Sequence, residues 1–166
     1  MLFTMLLAAS SAICPVEKAE YKLRGAEGVS ARFHAVKRTP DWPSGLALQV
    51  QVAGSGRSYW FLPWQGGTDG KTNLAWVKER RSPIQFQEVR RDIEFFAADE
   101  SYGIVSEIPQ AGLMAPARIF IPGLGRLAWF STTDQNRDSI PRAFFDFATC
   151  RTRSERPPEI EFPAVP

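Results

Sequence analysis

Apolar and polar residues alternate over several short stretches of the chain. The clearest stretch has an apolar residue at every second position, namely Leu46, Leu48, Val50 and Val52. A period of two is typical of a half-buried β-strand, because successive side chains point to opposite faces of a sheet. The same pattern predicts a strand at 29–36. Further predicted strands are at 58–64, 73–77, 85–97, 102–107, 117–121, 127–132 and 143–149.

Turn-forming residues separate these stretches. The chain contains 12 glycines and 13 prolines, and their spacing leaves segments too short for typical helices. Segments 46–53 and 58–64 flank a glycine-rich turn and are predicted to form a hairpin, with Pro63 marking the end of its ladder. The pattern predicts an all-β fold: a single-domain antiparallel β-sandwich or barrel of about eight to nine strands, with at most a short helix.

Two places along this pattern are ambiguous. The apolar positions change parity between Phe86 and Val89, so a continuous strand there needs a bulge or turn near Gln87 and Glu88, and a short helix over 84–91 is the alternative. The segments 74–77 and 127–130 read Leu-Ala-Trp-Val and Leu-Ala-Trp-Phe. This similarity is interpreted as two core strands that each contain a tryptophan.

The N-terminal residues have the character of an export signal. Residues 1–12 are apolar and uncharged and end in small side chains, which predicts a signal peptide cleaved after Ala12, a β-domain at 13–150 and a proline-rich C-terminal tail at 151–166. The run is too short to cross a bilayer, so no transmembrane segment is expected in the mature chain. No basic residue precedes it, so either translation starts upstream or the free amino group alone supplies the charge. An N-terminal core strand or helix is the alternative.

The only two cysteines, Cys14 and Cys150, lie close to the two ends of the expected mature domain. Thiols oxidise in a periplasmic or extracellular compartment, so export predicts a disulfide between them. Two unrelated buried thiols are the first alternative. Lipidation of Cys14 is the second, although Ile13 is larger than the small residue expected before a lipidated cysteine.

Composition and charge narrow the function classes. The hydrophobic fraction is 44%, the charged fraction is 23% and the formal net charge is +2, values that suit a globular domain and not a disordered chain. Lysines and arginines are interspersed with acids, whereas a nucleic-acid partner favours a basic stripe. No nucleic-acid partner is therefore expected. A glycan or an envelope protein is the expected partner.

The most unusual stretch is an aromatic strand that runs into a polar, glycine-rich loop. Its candidate binding residues are three indoles and the polar side chains beside them: Trp60, Trp64, Gln65, Asp69, Asn73 and Trp76. In the functional interpretation, sugar rings stack on the indoles and the polar side chains form hydrogen bonds at the edges of the sugars. Core aromatics joined by a loop are the alternative. The loop lacks the first glycine of a phosphate-binding P-loop, and no cofactor is expected.

Two motifs with metal or catalytic potential are incomplete. Asp134, Asn136 and Asp138 have the spacing of the first calcium ligands of an EF-hand loop, but Ser139 and Phe145 stand where that loop needs glycine and a bidentate glutamate. A polar turn is the alternative to this weak calcium candidate. The single histidine, His34, is predicted to face solvent on its strand, and one histidine cannot form a multi-histidine zinc site.

Acidic residues are the remaining route to catalysis, since a glycosidase needs two carboxylates roughly 5–9 Å apart. The candidates are Asp92, Glu94, Asp99, Glu100 and Glu107. The favoured function is nevertheless that of an exported binding domain, periplasmic or secreted, which recognises a glycan or a protein. A hydrolase of envelope material and a purely structural envelope protein are the alternatives.

Overall fold

The structure is a computed structural model. It describes residues 14–66, 71–77, 92–131, 135–153, 155–156, 159–160 and 162. The bulge near 87–88 and the alternative helix at 84–91 lie outside these ranges. The predicted Cys14–Cys150 disulfide is present, with the two Cα atoms 5.6 Å apart.

Ten antiparallel strands form one sheet in the described part of the chain. The strands are β1 (Ala19–Leu23), β2 (Val29–Ala35), β3 (Leu46–Val52), β4 (Arg57–Gln65), β5 (Thr72–Val77), β6 (Asp92–Glu94), β7 (Phe96–Ala98), β8 (Ile104–Val105), β9 (Arg118–Phe120) and β10 (Phe144–Cys150). Their order across the sheet is β6-β5-β4-β3-β2-β1-β10-β9-β7-β8. The sheet curls into a half-barrel, which confirms the all-β, barrel-like prediction.

A single residue links the two ends of this sheet. Strand β6 is first in the order and β7 is ninth, yet only Phe95 separates them along the chain. The backbone N–H of Phe95 donates to the carbonyl oxygen of Thr72 at 3.1 Å, and its side chain is buried in the core. The sheet must therefore curl, because one short bend brings its first strand beside its ninth.

The inner face of the half-barrel holds the main core. Large rings from four strands fill it: Tyr21, Phe33, Tyr59, Phe61 and Phe145. The Tyr21 ring meets the Phe33 ring edge to face, with centroids 6.1 Å apart, an arrangement that aromatic pairs prefer. Helix α1 (Leu124–Phe130) packs Leu124, Leu127 and Ala128 onto this core. Those positions share one face of a helix.

Helix α1 corrects the strand predicted at 127–132. Leu127 and Ala128 are core residues as expected, but the segment that contains them is helical. The prediction at Pro63 is also wrong, because β4 continues to Gln65 and Pro63 lies opposite Leu74 of β5. Strand β3 pairs with β4 only as far as Phe61. Pro63 thus lies where β4 has a neighbour on one side, a position that tolerates a missing N–H.

A second, smaller cluster lies on the outer face of β3, β4 and β5. It consists of Trp42, Ala47, Trp60, Leu62, Ala75 and Val77. Ile160 packs against this cluster. Arg151 donates to the carbonyl oxygens of Glu17 and Phe33, at 2.9 and 2.6 Å. Parts of the segment after β10 therefore contact the outer face of the sheet.

His34 is buried, which corrects the solvent-facing prediction. Its side chain is 3% exposed, and its ring lies 5.2 Å from that of Trp60. Gln49 donates to the Ser58 hydroxyl, so the Gln49 carbonyl oxygen is available to accept from Nε2 of His34 at 3.1 Å. Burial, and next the charge of Arg151, lower the pKa of His34. Other side chains cover the outer face of the sheet at His34. The alternation of residues along a strand does not show whether a face is covered in this way.

The lowered pKa of His34 predicts a loss of stability in acid. The unfolded chain binds a proton near pH 6.5, whereas the folded chain binds it only at lower pH. The contribution of His34 is therefore complete above about pH 6.5 and is lost as the pH falls toward the folded-state pKa. Urea unfolding of the wild type and of His34→Gln between pH 4.5 and 8 measures it. If the free energies of unfolding of the two proteins changed with pH to the same extent, this expectation would be contradicted.

Candidate functional site: an aromatic row and an adjoining cleft

The three indoles of the predicted platform do not share one surface. Trp60 is 3% exposed and belongs to the outer cluster, against which Trp64 packs. Trp76 lies opposite Phe61 and packs against the inner core. Alternation along β4 and β5 places these side chains on opposite faces of the sheet. This corrects the idea that they form a single coplanar surface for a sugar.

The polar members of the predicted platform are also dispersed. Gln65 is exposed, and its amide donates to the carbonyl oxygen of Ser106 at 3.5 Å. Asn73 lies opposite Trp64 and donates to the carbonyl oxygen of Lys71. Asp69 lies outside the described residues. The structure therefore places neither Gln65 nor Asn73 beside all three indoles.

Asp138 of the weak calcium motif has a structural role. It is 5% exposed, and its carboxylate accepts from the Tyr59 hydroxyl at 2.6 Å and lies 3.5 Å from an Arg57 nitrogen. Burial, and next the hydrogen bond to Asp138, raise the pKa of Tyr59 to about 12. Asn136 is exposed and its backbone carbonyl accepts from Arg57. Asp134 lies outside the described ranges, within which no three acidic, histidine or cysteine side chains form a metal-binding group.

The outer face of β7, β9 and β10 carries a row of rings that sequence reasoning missed. Phe96 lies directly opposite Phe120, and Phe120 lies directly opposite Phe144. Their ring centroids are 6.3 and 4.9 Å apart, and the Tyr102 centroid is 5.3 Å from that of Phe144. These four rings are termed the aromatic row. The three Phe side chains are half-buried, whereas Tyr102 is 46% exposed.

The β7–β8 turn holds Tyr102 in an unusual conformation. Its φ is +66°, the only positive value at a non-glycine position among the described residues. The Asp99 carboxylate stabilises this turn by accepting from the backbone N–H groups of Ser101 and Gly103, both at 2.8 Å. Such left-handed residues are costly, and they concentrate at functional sites. The turn thereby presents the Tyr102 ring at the end of the row.

Arginines lie over this row. The Arg118 guanidinium is 4.2 Å from the Tyr102 centroid, and that of Arg24 is 5.6 Å from it. Both arginines bind the single carboxylate of Asp146, Arg24 with two hydrogen bonds at 2.7 and 2.9 Å. Arg142 lies 5.7 Å from the Phe120 centroid. Three arginines and two carboxylates, those of Asp146 and Asp99, leave the row with a small positive surplus and with cation–π contacts.

A cleft of about 960 Å³ opens beside the row, between β6 and α1. Asp92 and Glu94 line one part of it, and Arg126 and Arg142 line another. Ile93 and Leu127 supply apolar lining, and the Phe130 ring, 59% exposed, borders the opening. Arg142 belongs to both features, so the cleft and the aromatic row meet at this residue.

The candidate carboxylates thus have different environments. Asp92 and Glu94 line this cleft, Asp99 stabilises the β7–β8 turn, and Glu100 and Glu107 line a separate pocket of about 380 Å³. Glu94 lies 3.9 Å from the ammonium nitrogen of Lys71. Of the five carboxylates, Asp92 and Glu94 border the cleft, and Asp99 lies at the turn that presents Tyr102.

The fold and site define an all-β, disulfide-bonded half-barrel with an aromatic and cationic outer surface. No family model, curated protein or solved structure matches the chain. No helix in the described ranges is long and apolar enough to span a membrane.

Proposed function

We propose that this protein acts by binding a glycan along the aromatic row. The observation that carries the proposal is the direct opposition of Phe96, Phe120 and Phe144 on three neighbouring strands, continued by the exposed ring of Tyr102. The exposed ring of Tyr102 suits the apolar face of a sugar, and the outer edges of the stacked Phe120 and Phe144 rings extend that apolar surface. The arginines beside the row suit hydroxyl or acidic groups. The binding surface is therefore proposed to be this row, in place of the Trp60–Trp76 region.

We also propose that the protein is exported to the periplasm or the cell exterior, where such a glycan is found. The Cys14–Cys150 disulfide supports an oxidising compartment. The apolar residues 1–12, with small side chains before the expected cleavage point at Ala12, support the same location.

The two alternative functions have weaker support. A glycosidase needs one carboxyl group kept protonated, which burial achieves, whereas Asp92 and Glu94 are both exposed. A purely structural envelope role predicts that the aromatic side chains are buried, whereas Tyr102 is 46% exposed. Exposed aromatic and cationic groups on one surface favour binding.

Replacing Tyr102 with alanine is expected to weaken glycan binding about tenfold or more, because stacking on an exposed ring is lost while the core is untouched. One to two kcal/mol from such a ring corresponds to about that factor. Isothermal titration against a panel of soluble neutral and acidic oligosaccharides measures it. Phe162→Ala is the matched control. Phe162 is also exposed, but it comes two residues after Ile160, which packs against the outer cluster. Equal affinities of the wild type and Tyr102→Ala, or no binding to any oligosaccharide, would refute the proposal.

A further inference from the structure

The cleft beside the aromatic row has the size of a ligand site. Its volume of about 960 Å³ lies at the upper end of the range typical of small-molecule pockets, about 300–1,000 Å³. Apolar lining from Ile93 and Leu127 together with a few charged groups also matches that type of site. The cleft is therefore large enough to hold a small-molecule ligand.

The arginines of the cleft differ from those farther along the row. Arg24 and Arg118 share Asp146. Within the described part of the chain, neither Arg126 nor Arg142 takes part in an ion pair. A guanidinium group binds carboxylate oxygens with two parallel hydrogen bonds. The cleft therefore offers two cations whose charge is available to a ligand.

The acidic side of the cleft limits what that ligand is. Asp92 and Glu94 project from the same face of β6, because residues two apart in a strand share a face. Glu94 lies 3.9 Å from the Lys71 ammonium nitrogen, and carboxylate oxygens accept hydrogen bonds from hydroxyl groups. A ligand with a carboxylate for the arginines and several hydroxyls for the acidic residues fits both sides. The exposed ring of Phe130 at the opening adds a surface for a sugar ring.

The cleft also adjoins the proposed glycan surface. Arg142 lines the cleft and lies over the ring of Phe120, at 5.7 Å from its centroid. A chain of sugars along the row would therefore reach the cleft at Arg142.

From this geometry we infer that the cleft binds a carboxylate-bearing sugar of the glycan, with Arg126 and Arg142 on its carboxylate and Asp92 and Glu94 on its hydroxyls. The inference rests on the proposed glycan-binding function and specifies the class of its ligand as acidic.

The test compares oligomers of galacturonate, glucuronate and mannuronate with the same oligomers after reduction of their carboxyl groups, by isothermal titration at 150 mM salt. The wild type is expected to bind at least one acidic oligomer about tenfold or more tightly than its reduced form, as one charge-assisted pair predicts. Arg126→Gln is expected to abolish this preference. Arg156→Gln, which removes the same charge from an exposed position after β10, is expected to retain it.

Each alternative result of this experiment refutes a specific claim. Equal binding of acidic and reduced oligomers by the wild type refutes the acidic-sugar inference and leaves the glycan proposal standing. A preference that survives in Arg126→Gln, or that Arg156→Gln also loses, excludes the cleft as its source. Binding to none of the oligomers, acidic or reduced, also refutes the acidic-sugar inference, and the wider oligosaccharide panel then decides the glycan proposal. Arg126 is exposed, so superimposable urea unfolding curves should show that the variant is folded.

Discussion

The double variant Cys14→Ala/Cys150→Ala is expected to lose about 5 kcal/mol of unfolding free energy in the chain-entropy model. The disulfide joins residues 136 positions apart, so it restricts almost the whole described chain in the unfolded state. Native contacts at the same place remain. Ala115 donates to the carbonyl oxygen of Cys14, and Val16 donates to that of Leu113. The expected loss is comparable to the entire stability of many domains.

Urea unfolding of the oxidised wild type and the double variant measures this loss. Wild type treated with a thiol reductant is the matched control, because it keeps both side chains and lacks only the bond. Reduced wild type and the variant should unfold at similar urea concentrations, both well below the oxidised protein. A midpoint unchanged by reduction would mean that the bond contributes little to stability.

Asp138→Ala is expected to cost about 2–3 kcal/mol, because the buried Tyr59 hydroxyl loses its acceptor and the partly exposed Arg57 loses an ion pair. Asp138 accepts from the Tyr59 hydroxyl and pairs with Arg57, and its replacement leaves both groups without that partner. Asp138→Asn should cost less, since an amide oxygen still accepts from the hydroxyl. Equilibrium unfolding in urea at pH 7 measures both.

Asp41→Ala is the control for Asp138→Ala, because Asp41 is exposed and its loss should change stability by about 0.5 kcal/mol or less. The same experiment separates the structural role from the calcium hypothesis. Millimolar calcium should leave the melting temperature of the wild type unchanged. A rise that disappears in Asp138→Ala would instead support a calcium site.

Local sequence was most informative where one face of a strand is buried and the other is not. The period of two placed β2 and β3 within one residue of their ends and predicted the β3–β4 hairpin. It was least informative at Leu-Ala-Trp. Residues 74–76 lie in β5 and residues 127–129 in α1, although the two tripeptides are identical. Three residues contain neither a strand period nor a helix period, so packing partners determine the structure that they adopt.

The candidate site illustrates a different limit of prediction. Phe96, Phe120 and Phe144 each fall at or inside a predicted strand, but they are more than twenty residues apart along the chain. Their row exists because β7, β9 and β10 are neighbours in register. Single-strand patterns contain no information about strand order. Tryptophans close together in sequence therefore attracted the binding hypothesis, although the sheet separates their faces.

The sequence by itself determined the all-β class, most strand positions and the only available disulfide, because strand periodicity, turn residues and the number of cysteines are local properties. The tertiary structure decided which side chains meet. Burial of His34 requires Trp60 and Arg151 on the outer face, and the pairing of Asp138 with Tyr59 spans 79 residues. The aromatic row and its cleft likewise depend on strand order and on the bend at Phe95. Such contacts arise from the packing of distant segments, which no local pattern encodes.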